Sequence, residues 1–211
     1  MNAAAAQTSA TSARQVSPAG WFYEGDATLL LRPCVAVIGS RAASPAGLLR
    51  ARRLARELIR GGAVVVSGLA EGIDAAAHGA ALGCGGRTVG VIGTPLERAY
   101  PARHRLLQRH IAAHHLVVSP FPAGSKVTGA NFPVRNRLMA ALCQATVIVE
   151  ASDKSGTLHQ ARECVRLGRP LFVCANQVND PALHWPARFA DHAKVLTSTE
   201  QVLACLSKRA A

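Results

Sequence analysis

Basic and glycine-bearing turns recur in this sequence, and each follows a short apolar run. They contain Gly39-Ser40-Arg41, Ser67-Gly68, Gly93-Thr94 and Lys154-Ser155-Gly156. Backbone N–H groups in such turns bind anions, glycine lets a ligand approach the chain, and an arginine guanidinium contacts phosphate through two hydrogen bonds. These residue types therefore predict a binding site for a polyanion.

The segments between these turns predict how they are brought together. The apolar runs at 35–38, 64–66, 89–92 and 147–149 are typical of strands, and stretches with helical periodicity separate them. Short apolar strands that alternate with helices indicate an α/β fold with a mostly parallel sheet, buried on both faces. Every strand-to-helix turn of such a sheet emerges at its carboxyl edge, where ligands bind.

The boundaries follow from apolar runs, prolines and glycines. Strands are predicted at 34–39, 63–67, 88–92, 116–119, 146–150 and 171–174, with an edge strand at 194–196. Helices are predicted at 45–60, 73–82, 103–113, 157–167 and 199–207, with another that Pro133 opens after a long loop at 120–131. Residues 1–18 are predicted to be a disordered tail, residues 21–31 a lead-in packed on the domain, 176–192 irregular, and 19–211 a single domain.

The composition is that of a basic globular chain. The 211 residues are 49% apolar and 17% charged, and 24 Lys and Arg against 12 Asp and Glu give a net charge of +12. No segment approaches the roughly 20 apolar residues of a membrane helix, so no membrane partner is expected. The charge favours nucleic acid or another anion as the partner. An arginine-rich solvated surface, as in proteins from GC-rich genomes, is the alternative.

The cysteines and histidines give no metal or redox signature. No two of the six cysteines stand two to four residues apart, and Cys34, Cys143 and Cys174 lie in or beside apolar runs as core residues do. This pattern indicates a reducing, cytoplasmic location without disulfides. His110 and His114 are four residues apart but lack acidic partners nearby, so neither a metal nor a cofactor is predicted.

The densest group of candidate residues lies at 131–137, in the sequence NFPVRNR. Arg135 and Arg137 point about 200° apart on a helix, so one is expected to meet phosphate and the other to brace the loop or an acidic neighbour. Phe132 is expected either to stack on a base or to pack into the core. Asn136 either bonds a base edge or caps the backbone of the loop.

Other candidates also have structural alternatives. Arg41 either meets phosphate or forms a surface salt bridge, and Ser67-Gly68 either binds an anion or only connects a strand to a helix. Lys154 supplies a point charge, whereas Ser155 favours helix capping. Asp74 is interpreted as a helix N-terminal carboxylate and not as a catalyst.

Several of these stretches together resemble one known family. The matching stretches, in order, are VIGSR at 37–41, SGLAEGIDAAAH at 67–78, YP at 100–101, NFPVRNR at 131–137, SGT at 155–157 and GRP at 168–170. Segment 35–173 thus resembles the core domain of the DprA/Smf family, the DNA-processing proteins of bacterial transformation. The resemblance implies an extended Rossmann-like three-layer sandwich that binds single-stranded DNA.

The resemblance further implies a non-catalytic role in DNA uptake and natural transformation, with loading of a RecA-type recombinase on the strand and a homodimeric state. Many family members carry a helical domain before this core and a winged-helix domain after it, and neither is expected here. The DNA- or phosphate-binding residues predicted on all these grounds are Gly39, Ser40, Arg41, Ser67, Gly68, Lys126, Asn131, Phe132, Arg135, Asn136, Arg137, Lys154, Ser155 and Gly156.

The alternative function is a nucleotide-binding sensor or a phosphoribohydrolase-like enzyme. The Rossmann-like domain of the family is similar to that of the lysine-decarboxylase-like phosphoribohydrolases, whose Gly-Gly-x-Gly-Thr-x-x-Glu motif supplies a carboxylate. Here Gln160 stands at the carboxylate position after Gly156 and Thr157, and an amide does not act as a general base. Glu163 lies about 300° further around the helix, so hydrolysis of AMP is not expected.

Overall fold

One nine-stranded sheet forms the middle layer of the protein. The computed structural model describes residues 14–17 and 19–207. The strands are β1 (Gln15–Val16), β2 (Phe22–Gly25), β3 (Cys34–Gly39), β4 (Val64–Ser67), β5 (Thr88–Val91), β6 (Leu116–Ser119), β7 (Ala145–Glu150), β8 (Leu171–Cys174) and β9 (Ala193–Leu196). Their order is β1-β2-β6-β5-β4-β3-β7-β8-β9, and all pairs are parallel except β1–β2 and β2–β6 at one edge.

Helices cover both faces of this sheet. They are α1 (Pro45–Arg60), α2 (Ile73–Gly83), α3 (Arg105–His114), α4 (Asn131–Leu142), α5 (Thr157–Arg166), α6 (Ala175–Val178) and α7 (Glu200–Ser207), with 3-10 turns at Ala27–Leu31, Ala102–His104 and Pro186–Phe189. Helices α1, α2 and α7 pack on one face, and α4 and α5 pack on the other. The predicted three-layer Rossmann-like α/β sandwich is therefore confirmed.

The strand sequences explain this layering. Val35 and Val37 of β3 face α1 and α2, whereas Ala36 and Ile38 face the opposite helical layer, and all four side chains are buried. A strand covered on both faces needs apolar residues at every position, which is why these runs are continuous and do not alternate. Helix α1 begins after Ser44, whose hydroxyl accepts a hydrogen bond from the Gly47 N–H at 3.0 Å.

The structure differs from the predicted elements mainly near the N-terminus. Part of the predicted lead-in, Phe22–Gly25, is strand β2, and Gln15–Val16 from the predicted disordered tail forms β1 against it. Pairing with β2 satisfies the backbone groups along the β6 edge, so the reason for this strand is tertiary. Residues 1–13, 18 and 208–211 lie outside the described residues.

Two smaller differences from the predicted elements concern the start of helix α4 and the stretch 176–192. Helix α4 begins at Asn131, so Pro133 occupies the third position of its first turn, where a backbone N–H has no partner within the helix. The predicted irregular stretch 176–192 contains most of the short helix α6 and the turn Pro186–Phe189. That turn packs beside Trp185, which is fully buried and donates from Nε1 to the Ala151 carbonyl at 3.0 Å.

The predicted core cysteines are confirmed as buried thiols. Burial raises the pKa of Cys34 to about 12 and that of Cys174 to about 11, and it also raises the pKa of Cys143. Thiols in such surroundings stay protonated at neutral pH and behave as small apolar side chains.

His78 is a neutral imidazole inside the core. Its Nδ1 lies 2.7 Å from the Thr88 hydroxyl, which itself donates to the Val65 carbonyl at 2.7 Å. Because that hydroxyl proton is already used, Nδ1 carries the hydrogen and donates to Thr88. Burial lowers the pKa of His78 to about 3, against a partial opposing effect of the Ser67 backbone.

Replacing His78 tests how this burial makes stability depend on pH. Between pH 6.5 and about 3, His78 is protonated in the unfolded chain but stays neutral in the folded chain. Acidification through this range therefore destabilises the fold. We expect the free energy of unfolding of the wild type, minus that of His78→Asn, to fall with decreasing pH by at most about 1.4 kcal/mol per pH unit. Urea unfolding of both proteins at several pH values measures the difference. Carboxylates with a lowered pKa, such as Glu57, cancel between the two proteins, and a constant difference would contradict the assignment.

Candidate nucleic-acid interface

A cleft of about 480 Å³ opens at the carboxyl edge of the sheet, as the strand order predicts. Its walls come from the turn after β3, the first turns of α4 and the turn before α5. The predicted residues that it brings together are Gly39, Ser40, Arg41, Phe132, Arg135, Asn136, Ser155 and Gly156. Gly68 lines a neighbouring depression of about 260 Å³, which Arg41, Phe132 and Arg135 also border.

Arg135 is buried at the base of this edge. Its Nη1 donates to the carbonyl oxygens of Gly68 at 2.6 Å and Val91 at 2.9 Å, and its Nε donates to Asn136 Oδ1 at 2.8 Å. The side chain therefore joins the end of β5 and the turn after β4 to α4. Arg137 is exposed and does not line the cleft. Of the two arginines, Arg135 is thus the one that braces the edge.

Asp74 compensates for the buried cation. Its Oδ2 accepts hydrogen bonds from the N–H groups of Gly68 at 3.1 Å and Ala70 at 3.4 Å. Burial raises the pKa of the Asp74 carboxyl, and Arg135 and these N–H donors oppose that rise. Burial likewise lowers the pKa of Arg135, against the opposing effect of Asp74. As predicted, Asp74 lies in the first turn of α2, and it holds the β4–α2 turn closed.

Two glycines are required by the close approach of these groups. A Cβ at Gly68 would overlap Arg135 Nη1 and lie 2.5 Å from Arg135 Cζ and 2.7 Å from Asp74 Oδ2. Gly72 has φ +72°, and a Cβ there would overlap the Ser40 carbonyl oxygen. The absence of side chains at these two positions therefore allows the turns after β3 and β4 to pack against one another and around Arg135.

Arg41 stands at the mouth of the cleft with two aromatic rings. Its guanidinium carbon lies 5.2 Å from the ring centre of Phe132 and 5.9 Å from that of Tyr100, and the two rings are 5.3 Å apart. Arg41 is exposed and forms no ion pair with any carboxylate in the described part of the chain. The salt-bridge alternative for Arg41 is therefore not seen.

Phe132 packs on the sheet edge and also borders the cleft. A Cβ at Gly93 would lie 2.9 Å from Phe132 Cδ1, so one part of the ring rests on the turn after β5. Tyr100 is 48% exposed. Sequence reasoning does not select it as a site residue, although the YP pair at 100–101 belongs to the matching stretches, because a loop tyrosine carries no periodic signal.

The turn before α5 is held by its own side chains. Ser155 Oγ accepts from the Thr157 N–H at 3.2 Å, and Thr157 Oγ1 donates to the Gly39 carbonyl at 3.2 Å. Asn136 Nδ2 donates to the Gly156 carbonyl at 3.2 Å. The N-cap residue of α5 is Gly156, so Ser155 lies one residue before the cap and bonds the first backbone N–H of the helix, while Asn136 bonds backbone. These contacts fix the cleft wall.

The remaining predicted residues lie outside the cleft. Ser67 is buried and donates to the Val37 carbonyl at 2.7 Å. Asn131 is buried too, and its Oδ1 accepts from Thr128 Oγ1 at 2.9 Å, which braces the loop before α4. The side chains of Lys126 and Lys154 are exposed and do not line the cleft.

Residues 14–17 and 19–207 lack two other features, a metal-binding cluster and a membrane-spanning helix. No group of three or more His, Cys, Asp or Glu side chains there is arranged to hold a metal ion. Within the same residues, no helix combines the length and apolar character needed to cross a membrane.

The sequence family described as DNA recombination-mediator protein A matches residues 7–207. The chain belongs to this family. It is 39% identical over 192 residues to DNA processing protein DprA of Streptococcus pneumoniae, covering 89% of this chain and 67% of that protein. It is 38% identical to Protein Smf of Synechocystis, covering 82% of this chain and 44% of that protein. The resemblance to the DprA/Smf family is thereby confirmed, and the chain spans only part of these relatives.

A solved member of the family has the same architecture. DNA processing protein A from Helicobacter pylori superposes with a TM-score of 0.79 at 29% identity, covering 94% of this chain and 96% of that one. The structure of the Helicobacter pylori protein was described for its single-stranded DNA binding mode.

Adding one methyl group at Gly68 tests how tightly Arg135 is held. We expect Gly68→Ala to lower the free energy of unfolding by about 1–3 kcal/mol, because the new Cβ must displace the guanidinium or the Asp74 carboxylate. Gly79→Ala in α2 is the control, since a Cβ there meets nothing within 4 Å, and it should be neutral or stabilising by up to about 1 kcal/mol. Thermal unfolding measures both variants. Equal stability of Gly68→Ala and wild type would show that the edge is not tightly packed.

Proposed function

We propose that this protein binds single-stranded DNA at the carboxyl edge of its sheet and performs no chemistry on it. The observation that carries the proposal is Arg41, an exposed guanidinium without an ion pair among the described residues, held against Phe132 and Tyr100 at the mouth of the cleft. Membership of the family and the single-stranded DNA binding of the Helicobacter pylori relative support it.

The geometry suits a strand whose phosphates and bases are held by different groups. Arg41 supplies the cation for a phosphate oxygen, with the turn residues Ser40 and Gly156 beside it. Phe132 and Tyr100 supply ring surface for bases, which is a sequence-tolerant way to hold a single strand. Arg135 has Nε and Nη1 committed to internal acceptors. It acts as a positioning residue and adds positive potential beneath the cleft.

The absence of chemistry is part of the proposal. Gln160, at the position where the related hydrolases carry a carboxylate, is buried beside the cleft. Asp74 is the acidic residue among those that line the cleft, and its Oδ2 accepts two backbone N–H groups. Glu150 accepts from the N–H and the hydroxyl of Ser44 at 2.7 and 2.6 Å. These carboxylates support the turns, which favours a binding role.

The biological setting rests mainly on family membership. We propose a cytoplasmic role in DNA uptake and natural transformation, in which the bound strand is passed to a RecA-type recombinase and the protein acts as a homodimer. The free thiols fit a reducing compartment. A nucleotide-binding sensor is the competing function, because the cleft has the size of a small-molecule site.

Replacing Arg41 tests the site. We expect wild-type protein to bind a fluorescent oligo-dT of about 20 nucleotides with an affinity that falls steeply between about 50 and 200 mM salt. Arg41→Ala should weaken binding about tenfold and reduce the salt slope by about one, because one phosphate contact is lost. Arg162→Ala is the control, since it removes an exposed arginine of α5 that does not line the cleft. Fluorescence anisotropy measures each affinity.

Three outcomes would count against this assignment. Absence of wild-type binding at low salt would refute single-strand binding. Equal affinities of Arg41→Ala and Arg162→Ala would mean that net charge, and not the cleft, attracts the strand. If AMP displaced the oligonucleotide at a concentration far below that of the oligonucleotide's own phosphate groups, the nucleotide sensor would be favoured.

Replacing Phe132 separates base contacts from phosphate contacts. Phe132→Ala should weaken oligo-dT binding by about 1–3 kcal/mol, the usual value of one stacked base, whereas Phe132→Tyr should retain it. On an oligonucleotide of abasic sites the wild type and Phe132→Ala should bind equally, while Arg41→Ala should still bind more weakly. Competition binding with both polymers gives the comparison. A loss of equal size on the abasic polymer would show that Phe132 only supports Arg41.

A further inference from the structure

A second groove begins where the cleft ends. It has a volume of about 530 Å³ and runs between α1 and α2 on the outside of the sandwich. Arg41 and Ala42 line both the cleft and this groove, so the two form one continuous depression around the Arg41 side chain. Arg41 and Ala42 are thus the residues that a ligand passes when it leaves the cleft for the groove.

Arginines line both walls of this groove. Arg52 and Arg56 of α1 line it, and both are exposed. They lie four residues apart, hence on one face of the helix, and neither pairs with a carboxylate anywhere in residues 14–17 and 19–207. Arg103 lines the opposite side and pairs with Glu71. Two like charges in this relation slightly destabilise a helix, so folding does not explain them.

The floor of the groove is made of small residues. It consists of Gly72, Ala75, Ala76, Gly79 and Ala80 of the α2 region, and Leu48 is the large apolar residue beside them. Gly79 is exposed in the middle of α2, and a Cβ there would meet nothing within 4 Å. A glycine at such a position costs a helix about 1 kcal/mol relative to alanine. Packing within the protein does not require it, and the open space above it belongs to the groove.

We propose that the single strand held in the cleft continues past Arg41 into the α1–α2 groove, with successive phosphates on Arg52 and Arg56. This inference rests on the proposed function. The two arginines are separated by about 6 Å along the helix axis, which is close to the spacing of neighbouring phosphates in an extended strand. The continuity with the cleft favours one polymer lying in both.

The dependence of binding on oligonucleotide length tests the proposal. Oligo-dT of about 6, 12 and 20 nucleotides is titrated against wild type, Arg52→Ala/Arg56→Ala and the control Arg162→Ala/Arg188→Ala, which removes two exposed arginines elsewhere. We expect the groove variant to bind the shortest strand like the control. On the longest strand it should lose at least about tenfold in affinity, and its salt slope should fall by about two.

A pair of glycine variants gives an independent test. Gly79→Glu places a carboxylate on the groove floor, and Gly83→Glu places the same charge one turn further along α2, outside the groove. Both positions have open space for a side chain, so both variants should fold. Only Gly79→Glu should weaken binding of the long strand, by about tenfold, and neither should affect the short one.

The outcomes separate this inference from the proposed function. If the groove variants match their controls at every length while Arg41→Ala still weakens binding, the strand does not follow the groove and the cleft assignment stands. A loss of equal size at all lengths would place these arginines in the primary site and would also overturn the continuation. If wild type binds no strand, the proposed function itself fails.

Discussion

The buried guanidinium of Arg135 is the constraint on which the carboxyl edge depends. It donates to the carbonyl oxygens of Gly68 and Val91 and to Asn136, which in turn holds Gly156. One cation thus joins the turns after β4 and β5 to the start of α5, and Asp74 offsets part of its desolvation. Because removing one partner of a buried charge pair leaves the other uncompensated, these positions tolerate little change.

Arg135 and Arg41 have different roles at this edge. Arg135 makes its hydrogen bonds with the protein, which fixes the strand ends before any ligand arrives. Arg41, about 5–6 Å from two rings, forms no ion pair among the described residues, so its guanidinium is available to the proposed ligand. A preorganised wall with an uncommitted cation at its mouth loses little conformational entropy on binding, which favours affinity without a large interface.

The sequence predicts the parallel core well, because a strand buried on both faces leaves a continuous apolar run with glycine at its end, as at 34–39. Strand β2 is not predictable in this way, since its four residues FYEG have no such run and their pairing depends on β6. Within the site, helix geometry shows that Arg135 and Arg137 diverge but not which one faces inward. That depends on how α4 docks on the sheet, which local sequence does not encode.

Net charge alone does not explain where a polyanion would bind. A charge of +12 attracts anions from a distance and speeds encounter. At physiological ionic strength, however, the field of an exposed charge is screened within about 8 Å, so arginines that line neither the cleft nor the groove contribute little to a strand held there. Affinity for the proposed strand therefore depends on cations that line its path without a carboxylate partner. Arg41, Arg52 and Arg56 meet both conditions, and together they form one band from the cleft into the groove.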